Sequence, residues 1–305
     1  MWLSIVRNLS VVFSAWVVSF SVSGQQISLY SQFLVNSQMI NPAYSGSKDG
    51  TEFILTYRNQ WVNNLEGAPV TYSAAGHSQV GKKVGAGLAI VNDKIGVTNQ
   101  LQVLPSVSYQ IDLGKYKLNF GLNVGFYNTK NRWSDITLIQ AQDPGLVTVD
   151  QSEFKPVIGS GVFVYNETSY AGLSAPNMLE SNSGNAGSIS YKRHYFFMVG
   201  KVFPVSEKFK IKPNLLFKYV ANAPLQTDFG LAGIINDLAL VGVNLRTGAG
   251  YVAYAQLFLP ENISIGYAYD FMKHDFRKVA GGSHELFLTW MLSNKSKVIY
   301  SPRYF

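Results

Sequence analysis

Through most of the chain, bulky apolar residues recur at every second position. The stretch KLNFGLNVGF, starting at Lys117, places Leu118, Phe120, Leu122, Val124 and Phe126 on one side and Asn119, Gly121, Asn123 and Gly125 on the other. Side chains alternate faces along a strand, so this is a strand with one large greasy face and one small, uncharged face. A half-buried soluble sheet carries charge outward and bulk inward, which does not account for this pattern. The theme repeats. Phe53, Leu55 and Tyr57 alternate, and so do Val70, Tyr72 and Ala74 against Thr71, Ser73, His77 and Gln79. Val84, Ala86, Leu88 and Ile90 oppose Gly85 and Gly87, while Ile263, Ile265, Tyr267 and Tyr269 oppose Ser264, Gly266 and Ala268.

Fourteen such segments are predicted: 51–59, 70–80, 83–92, 99–112, 115–127, 156–166, 168–175, 190–204, 208–220, 224–236, 238–247, 250–259, 262–270 and 282–292. Most are longer than the 5–6 residues of an average soluble strand, and they match the roughly 9–11 that cross a bilayer. The connections carry independent information. After even-numbered segments they are tight, as at Gly81-Lys82, Leu113-Gly114 and Asn236-Asp237. After odd-numbered ones they are longer, at 60–69, 93–98, 128–155, 176–189 and 271–281, with short exceptions at 221–223 and 248–249. Outer-membrane barrels have short periplasmic turns, long outer loops and an even strand count. A β-sandwich predicts no such rule. Backbone polar groups in hydrocarbon must all be paired, and strands achieve this only in a closed barrel. The expectation is therefore an all-β, transmembrane antiparallel β-barrel of about fourteen strands over residues 51–305, with both termini periplasmic and the Asn/Gly face lining the lumen. Tyr72, Tyr109, Tyr219 and Tyr269, near strand ends, suit an aromatic girdle.

Composition sharpens this. Charged residues make up 14% of the 305-residue chain, against about 25% in ordinary soluble domains. There is no cysteine, which removes disulfides, thiolate catalysis and Cys-ligated metals. Arg7, the apolar run Leu9–Val22 and the small residues before Gln25 read as a signal peptide over residues 1–24, cleaved near Gly24. Residues 25–50 form a polar lead-in that either plugs the barrel or docks a periplasmic partner. The net charge of +7 has no basic cluster with interleaved aromatics, so nucleic acid is not an expected partner.

Chemical signals are sparse. His77, His194, His274 and His284 lack metal-site spacing. Ser283, His284 and Glu285 are adjacent on a strand, so they face opposite ways and cannot form one triad. Gly85-Ala86-Gly87 resembles a phosphate loop only faintly, with no Lys-Ser or helix after it. No cofactor, metal or catalytic residue is expected. The candidate partner-binding residues are Asn59, Gln60 and Trp61 at the first outer loop, Trp133 in a long loop with Asp135, Asp143 and Asp150, and the row Lys208, Lys210, Lys212 and Lys218. That row faces water or an acidic neighbour, because charge at the lipid midplane costs about 2–4 kcal/mol. Asp228 on the following strand is its expected partner.

Several separate segments carry a resemblance. MINPAYSG (from Met39), YRNQW (from Tyr57), GAPVTYSAAGHS (from Gly67) and GLAIVNDKIGVTN (from Gly87) look like the PorP/SprF family. QDPGL (from Gln142), GLSAPNML (from Gly172) and RHYFFMVGKVF (from Arg193) do too, as do KIKPNLLFKYVANAPLQTDF (from Lys210), GYAYDF, GSHELFLTW and the terminal SPRYF. The resemblance implies a non-enzymatic outer-membrane protein of the type IX secretion system and gliding motility machinery of Bacteroidota. Its implied partners, beyond outer-membrane lipids, are other type IX secretion components, a peptidoglycan-binding periplasmic lipoprotein, and a secreted cargo's C-terminal domain or a surface adhesin. The expected role is docking or anchoring of cargo. The alternatives are a diffusion channel or transporter for small solutes and an outer-membrane hydrolase.

Overall fold

A computed structural model of the protein describes residues 35–62, 66–136, 149–180, 191–272 and 281–292. The leader at 1–24, Asp143 and His274 lie outside the described residues.

The strands are β1 (Thr51–Asn59), β2 (Val70–Gln79), β3 (Val84–Ile95), β4 (Thr98–Leu113), β5 (Tyr116–Asn131), β6 (Gln151–Tyr165), β7 (Ser169–Ala175), β8 (His194–Lys201), β9 (Phe203–Pro204), β10 (Phe209–Val220), β11 (Gln226–Ile235), β12 (Ala239–Arg246), β13 (Gly250–Phe258), β14 (Ile263–Met272) and β15 (Ser283–Leu292). β8 and β9 are one stave of the wall: Asn214 pairs with Gly200 and Ile211 with Phe203, in unbroken register on β10. Pro213, which has no N–H to give the ladder, lies opposite the interruption. Each stave pairs antiparallel with its sequence neighbours. β1 pairs with β15 from Thr51↔Leu292 to Asn59↔His284, which closes a fourteen-stave barrel without edges.

The faces follow the alternation. Leu122 and Val124 are 55% and 61% exposed on the outside, whereas Asn119 and Asn123 are 1% and 3% exposed on the inside. Outward aromatics pair near the strand ends, Tyr57 with Tyr72 and Tyr195 with Tyr219 at one rim, Phe53 with Trp290 towards the other. The core lies within the lumen. There Tyr254 covers Gly242, Tyr170 covers Gly200 and Phe287 covers Gly266, each pair directly opposite across the ladder. The ring shields backbone that glycine leaves bare.

Among the described residues, the end of the barrel where β1 begins, here the near end, carries short turns between strands; the strands on either side of the long connections, β1 and β2, β5 and β6, β7 and β8, and β14 and β15, meet those connections at the far end. One expected far-end loop is corrected. The run from Asp93 and Lys94 to Thr98 reads as loop, yet β3 continues to Ile95 and β4 starts at Thr98. Only Gly96 and Val97 turn the chain, with Gly96 at φ +57. β5 and β6 likewise lengthen, to Asn131 and from Gln151. Polar strand residues at a barrel rim are simply those that have left the hydrocarbon.

Candidate functional site

The most built-up feature of the lumen is the segment before β1. Residues 36–46 hold two short 3-10 turns, Ser37–Met39 and Pro42–Tyr44, and Ala43 and Tyr44 are almost fully enclosed. The local sequence explains the second turn. Pro42 supplies a fixed φ at its start, and the Asn41 side chain caps it by accepting the Ala43 N–H at 3.0 Å. This strap is stitched to the wall. Asn41 donates to the Val162 carbonyl (3.0 Å), Asn119 to that of Ala43 (3.1 Å), Ser108 to that of Ser45 (2.5 Å) and Ser174 to that of Ile40 (2.6 Å). The hydroxyls of Ser45 and Ser106 are 2.7 Å apart.

The small inward residues make this fit. A β-carbon at Gly121 would collide with the backbone of Pro42 and Ala43, and one at Gly85 with Ser45 and Gly46. The Asn/Gly face of β5 is thus a seat shaped to the strap's main chain.

Tyr44 reaches from the strap across the lumen, edge-on to His77 of β2 at 5.1 Å and to Phe163 of β6 at 5.4 Å. Burial pushes its hydroxyl well above the ordinary tyrosine pKa, so it stays neutral. His77 Nδ1 accepts the Gly46 N–H (3.3 Å), which leaves its hydrogen on Nε2 to donate to Glu52 (3.1 Å). Lys48 sits beside Glu52; burial lowers its pKa and the carboxylate opposes that shift. Ladder geometry makes this pairing natural, since Glu52 and His77 are register partners.

A second cluster spans the far half of the wall from β1 round to β11. Arg58 of β1 donates to Glu285 of β15 at 2.8 Å and to Asp270 of β14 at 2.6 Å. Arg246 of β12 grips Asp228 of β11 at 2.9 Å and approaches Asp270 at 3.8 Å. Five ionised side chains thereby link five strands, with almost no solvent contact at Arg58 and Glu285. Such a ladder ties the strands of this wall together.

The structure separates the sequence-derived candidates. Asn59, Gln60, Trp61 and Trp133 lie at the far rim, all partly exposed. Trp61 takes φ +58, and Trp133 opens a 3-10 turn in which Asp150 accepts the Ser134 N–H at 3.0 Å. Lys208 is exposed at the near rim, and Lys212 and Lys218 are buried inside. Asp228 is held by Arg246 and also attracts Lys218 of the row, whereas Lys210 bonds Asp237 of the near-end turn at 2.6 and 2.8 Å. Sequence reasoning could not assign that partner, because Asn236 and Asp237 both take positive φ in a turn whose geometry was not legible. It also passed over Asn41, Ser45, Ser106 and Ser108. The available signal was the polar run around NPAYSG, combined with a glycine-rich inward face wide enough to receive it.

Comparison with known proteins places this architecture. The family model for the type IX secretion system membrane protein PorP/SprF matches residues 22–290. No curated protein matches the chain. Among solved structures, the CymD monoaromatic hydrocarbon channel is 13% identical, over 90% of this chain and 96% of its own, with a TM-score of 0.46. The Ralstonia pickettii toluene transporter TbuX is 11% identical over 89% and 94%, with a TM-score of 0.48. Acinetobacter baumannii outer membrane protein Omp33 is 8% identical over 81% and 100%, with a TM-score of 0.45.

Proposed function

The chain belongs to the PorP/SprF family of type IX secretion system membrane proteins, and from that premise we propose that its task is docking rather than conduction. As an outer-membrane component of that machinery it works beside other secretion proteins. In the proposed reading its long-loop rim, with Asn59, Gln60, Trp61 and Trp133, holds a secreted cargo's C-terminal domain or a surface adhesin. Its short-turn rim faces the periplasm, where Lys208 and its neighbours meet a peptidoglycan-anchored lipoprotein. No chemistry on a substrate is involved.

The observation that carries this reading is the strap. A lumen whose polar face is spent on hydrogen bonds to the chain's own Asn41, Ala43 and Ser45 is suited to rigidity rather than transport. The test is affinity purification of the tagged protein from the native envelope. Recovery of secretion components together with a cargo protein is the expected result, weakened by Trp61→Ala and Trp133→Ala. Consistent recovery of the barrel alone, or solute uptake in liposomes, overturns it in favour of a diffusion channel.

A further inference from the structure

At the far end the outer wall changes character over one sector. Around much of the barrel the outward positions there are aromatic, as with Tyr57 and Tyr72, Tyr195 and Tyr219, and Tyr251 and Phe271. From β3 to β6 they turn to lysine and amide. One row reads Lys94, Asn99, Lys130 and Ser152 across the four strands, each residue directly opposite the next. The row below reads Asn92, Leu101, Asn128 and Phe154, and it runs on into Tyr72 and Tyr57 of the aromatic belt. Beneath that lie Ile90, Val103 and Phe126, with Phe126 stacked on Phe154 at 5.0 Å. These positions share their parity with the exposed Leu88, Val107, Leu122 and Ile158 of the same strands, so all of them face outward.

The two lysines of the upper row form a pair. Both are exposed, and two strand spacings set their α-carbons about 10 Å apart on one face. Flexible four-carbon stems bring both ammonium groups over Asn99, which lies between them. The Asn99 amide oxygen is buried there without a hydrogen-bond partner. Turned about its last torsion, the same amide presents two N–H donors at that point. The acids of these strands face the lumen and are engaged: the Thr71 hydroxyl donates to Asp93 at 2.7 Å, and Lys155 pairs with Glu153 at 3.1 Å. At the rim above, Asp135 lies 3.9 Å from Arg132 and Asp150 accepts the Ser134 N–H. Among the described residues, neither Lys94 nor Lys130 has an ion-pair partner.

We infer that Lys94, Asn99 and Lys130 bind the phosphate of an anionic lipid in the leaflet at the far end, with its acyl chains on the apolar wall beneath. Each part follows from position. Charge on a lipid-facing strand is tolerated near the interface and not at the midplane, so this row marks headgroup depth, just beyond the tyrosine belt. The anion that meets it there is carried on a lipid, because hydrocarbon covers Ile90, Val103 and Phe126 directly below. A lysine ammonium binds phosphate as a point charge, and an amide held between two of them adds a hydrogen bond of fixed direction. In the orientation proposed above, the far end faces the cell exterior, which makes this a lipid of the outer leaflet; binding by the purified protein does not depend on that orientation.

The test is native mass spectrometry of the detergent-purified, folded protein titrated with lipid A carrying one phosphate, or with the same lipid A after enzymatic removal of that phosphate. The unmodified protein is expected to retain one phosphorylated lipid about thirtyfold more strongly, which is about fivefold for each lysine. Lys94→Gln and Lys130→Gln should each lower the preference about fivefold, and the double variant should bind both lipids alike. Lys201→Gln removes an exposed outward lysine at the near end and should leave the preference unchanged. Inorganic phosphate should not displace the bound lipid. Folding of each variant is checked by the heat-dependent gel shift of closed barrels. Equal retention of the two lipids by the unmodified protein overturns the inference without recourse to any variant, and leaves the row to a protein partner. Displacement by inorganic phosphate overturns the lipid assignment, and so does a loss with Lys201→Gln equal to that with Lys94→Gln.

Discussion

At the scale of single residues, the lumen of this barrel is defined by what is missing. Gly121 and Gly85 contribute no side chain, and the strap backbone lies in the space a β-carbon would take. Steric overlap with main chain is not relieved by a change of rotamer, so Gly121→Val forces either the strap or β5 to move. Overpacking of a tight interior costs about 1–3 kcal/mol. The strap's hydrogen bonds from Asn119 and Ser108 go with it, and each buried carbonyl left without a donor adds about 1–3 kcal/mol. The expected outcome for Gly121→Val is a barrel that still closes but melts markedly earlier in detergent, with its N-terminal segment opened to protease. Gly114, in the near-end turn with open space around it, is the control site; Gly114→Asn should do neither, since asparagine tolerates its φ of +62.

At the scale of elements, ion pairs at the two ends of the barrel differ in worth. Arg58 joins β1 to both β14 and β15 and is nearly solvent-free, so removing it strips the buried Glu285 and Asp270 carboxylates of a close cation, with Arg246 still 3.8 Å from Asp270. Breaking a buried pair costs about 3–5 kcal/mol. The Lys210–Asp237 pair joins β10 to a turn and stays partly wet, where such contacts are worth about 0–1 kcal/mol. Arg58→Ala is therefore expected to lower the denaturant midpoint of the detergent-solubilised barrel strongly and Lys210→Ala hardly at all; equal shifts would refute a structural role for the ladder. The elements themselves were largely legible in the sequence, for a physical reason. A wall with lipid on one side and a polar lumen on the other enforces alternation, and that alternation located most of the staves, less clearly at 156–165 and 193–203. Strand ends were less legible, because β3, β4, β5 and β6 run on into water with polar residues such as Asp93 and Lys130 that read as loop. The salt-bridge partners were not legible at all. They depend on which strands the closed barrel sets side by side, as with Arg58 and Glu285, 227 positions apart.

At the scale of the whole molecule, docking and conduction make opposite demands on the strap. A docking barrel keeps it seated, since its hydrogen bonds stiffen the wall that presents the rims. A gated channel must release it, because the route through the lumen passes where Ala43 and Tyr44 now lie. The chain has no cysteine, so a double substitution Ser45→Cys, Ser106→Cys introduces a single disulfide and no competitor. The two hydroxyls already stand 2.7 Å apart on facing segments, and a sulfur–sulfur bond of about 2.05 Å needs only a small closure. Under docking, the oxidised and reduced forms recover the same partners from the envelope, and neither carries current across a planar bilayer. Under gating, reduction restores a conductance that oxidation abolishes. The comparison is internal to one variant, so any mild loss of stability from the substitutions cancels. What is left is whether the seat that the glycines of β3 and β5 form for the strap is permanent, and with it whether this barrel is a scaffold or a pore.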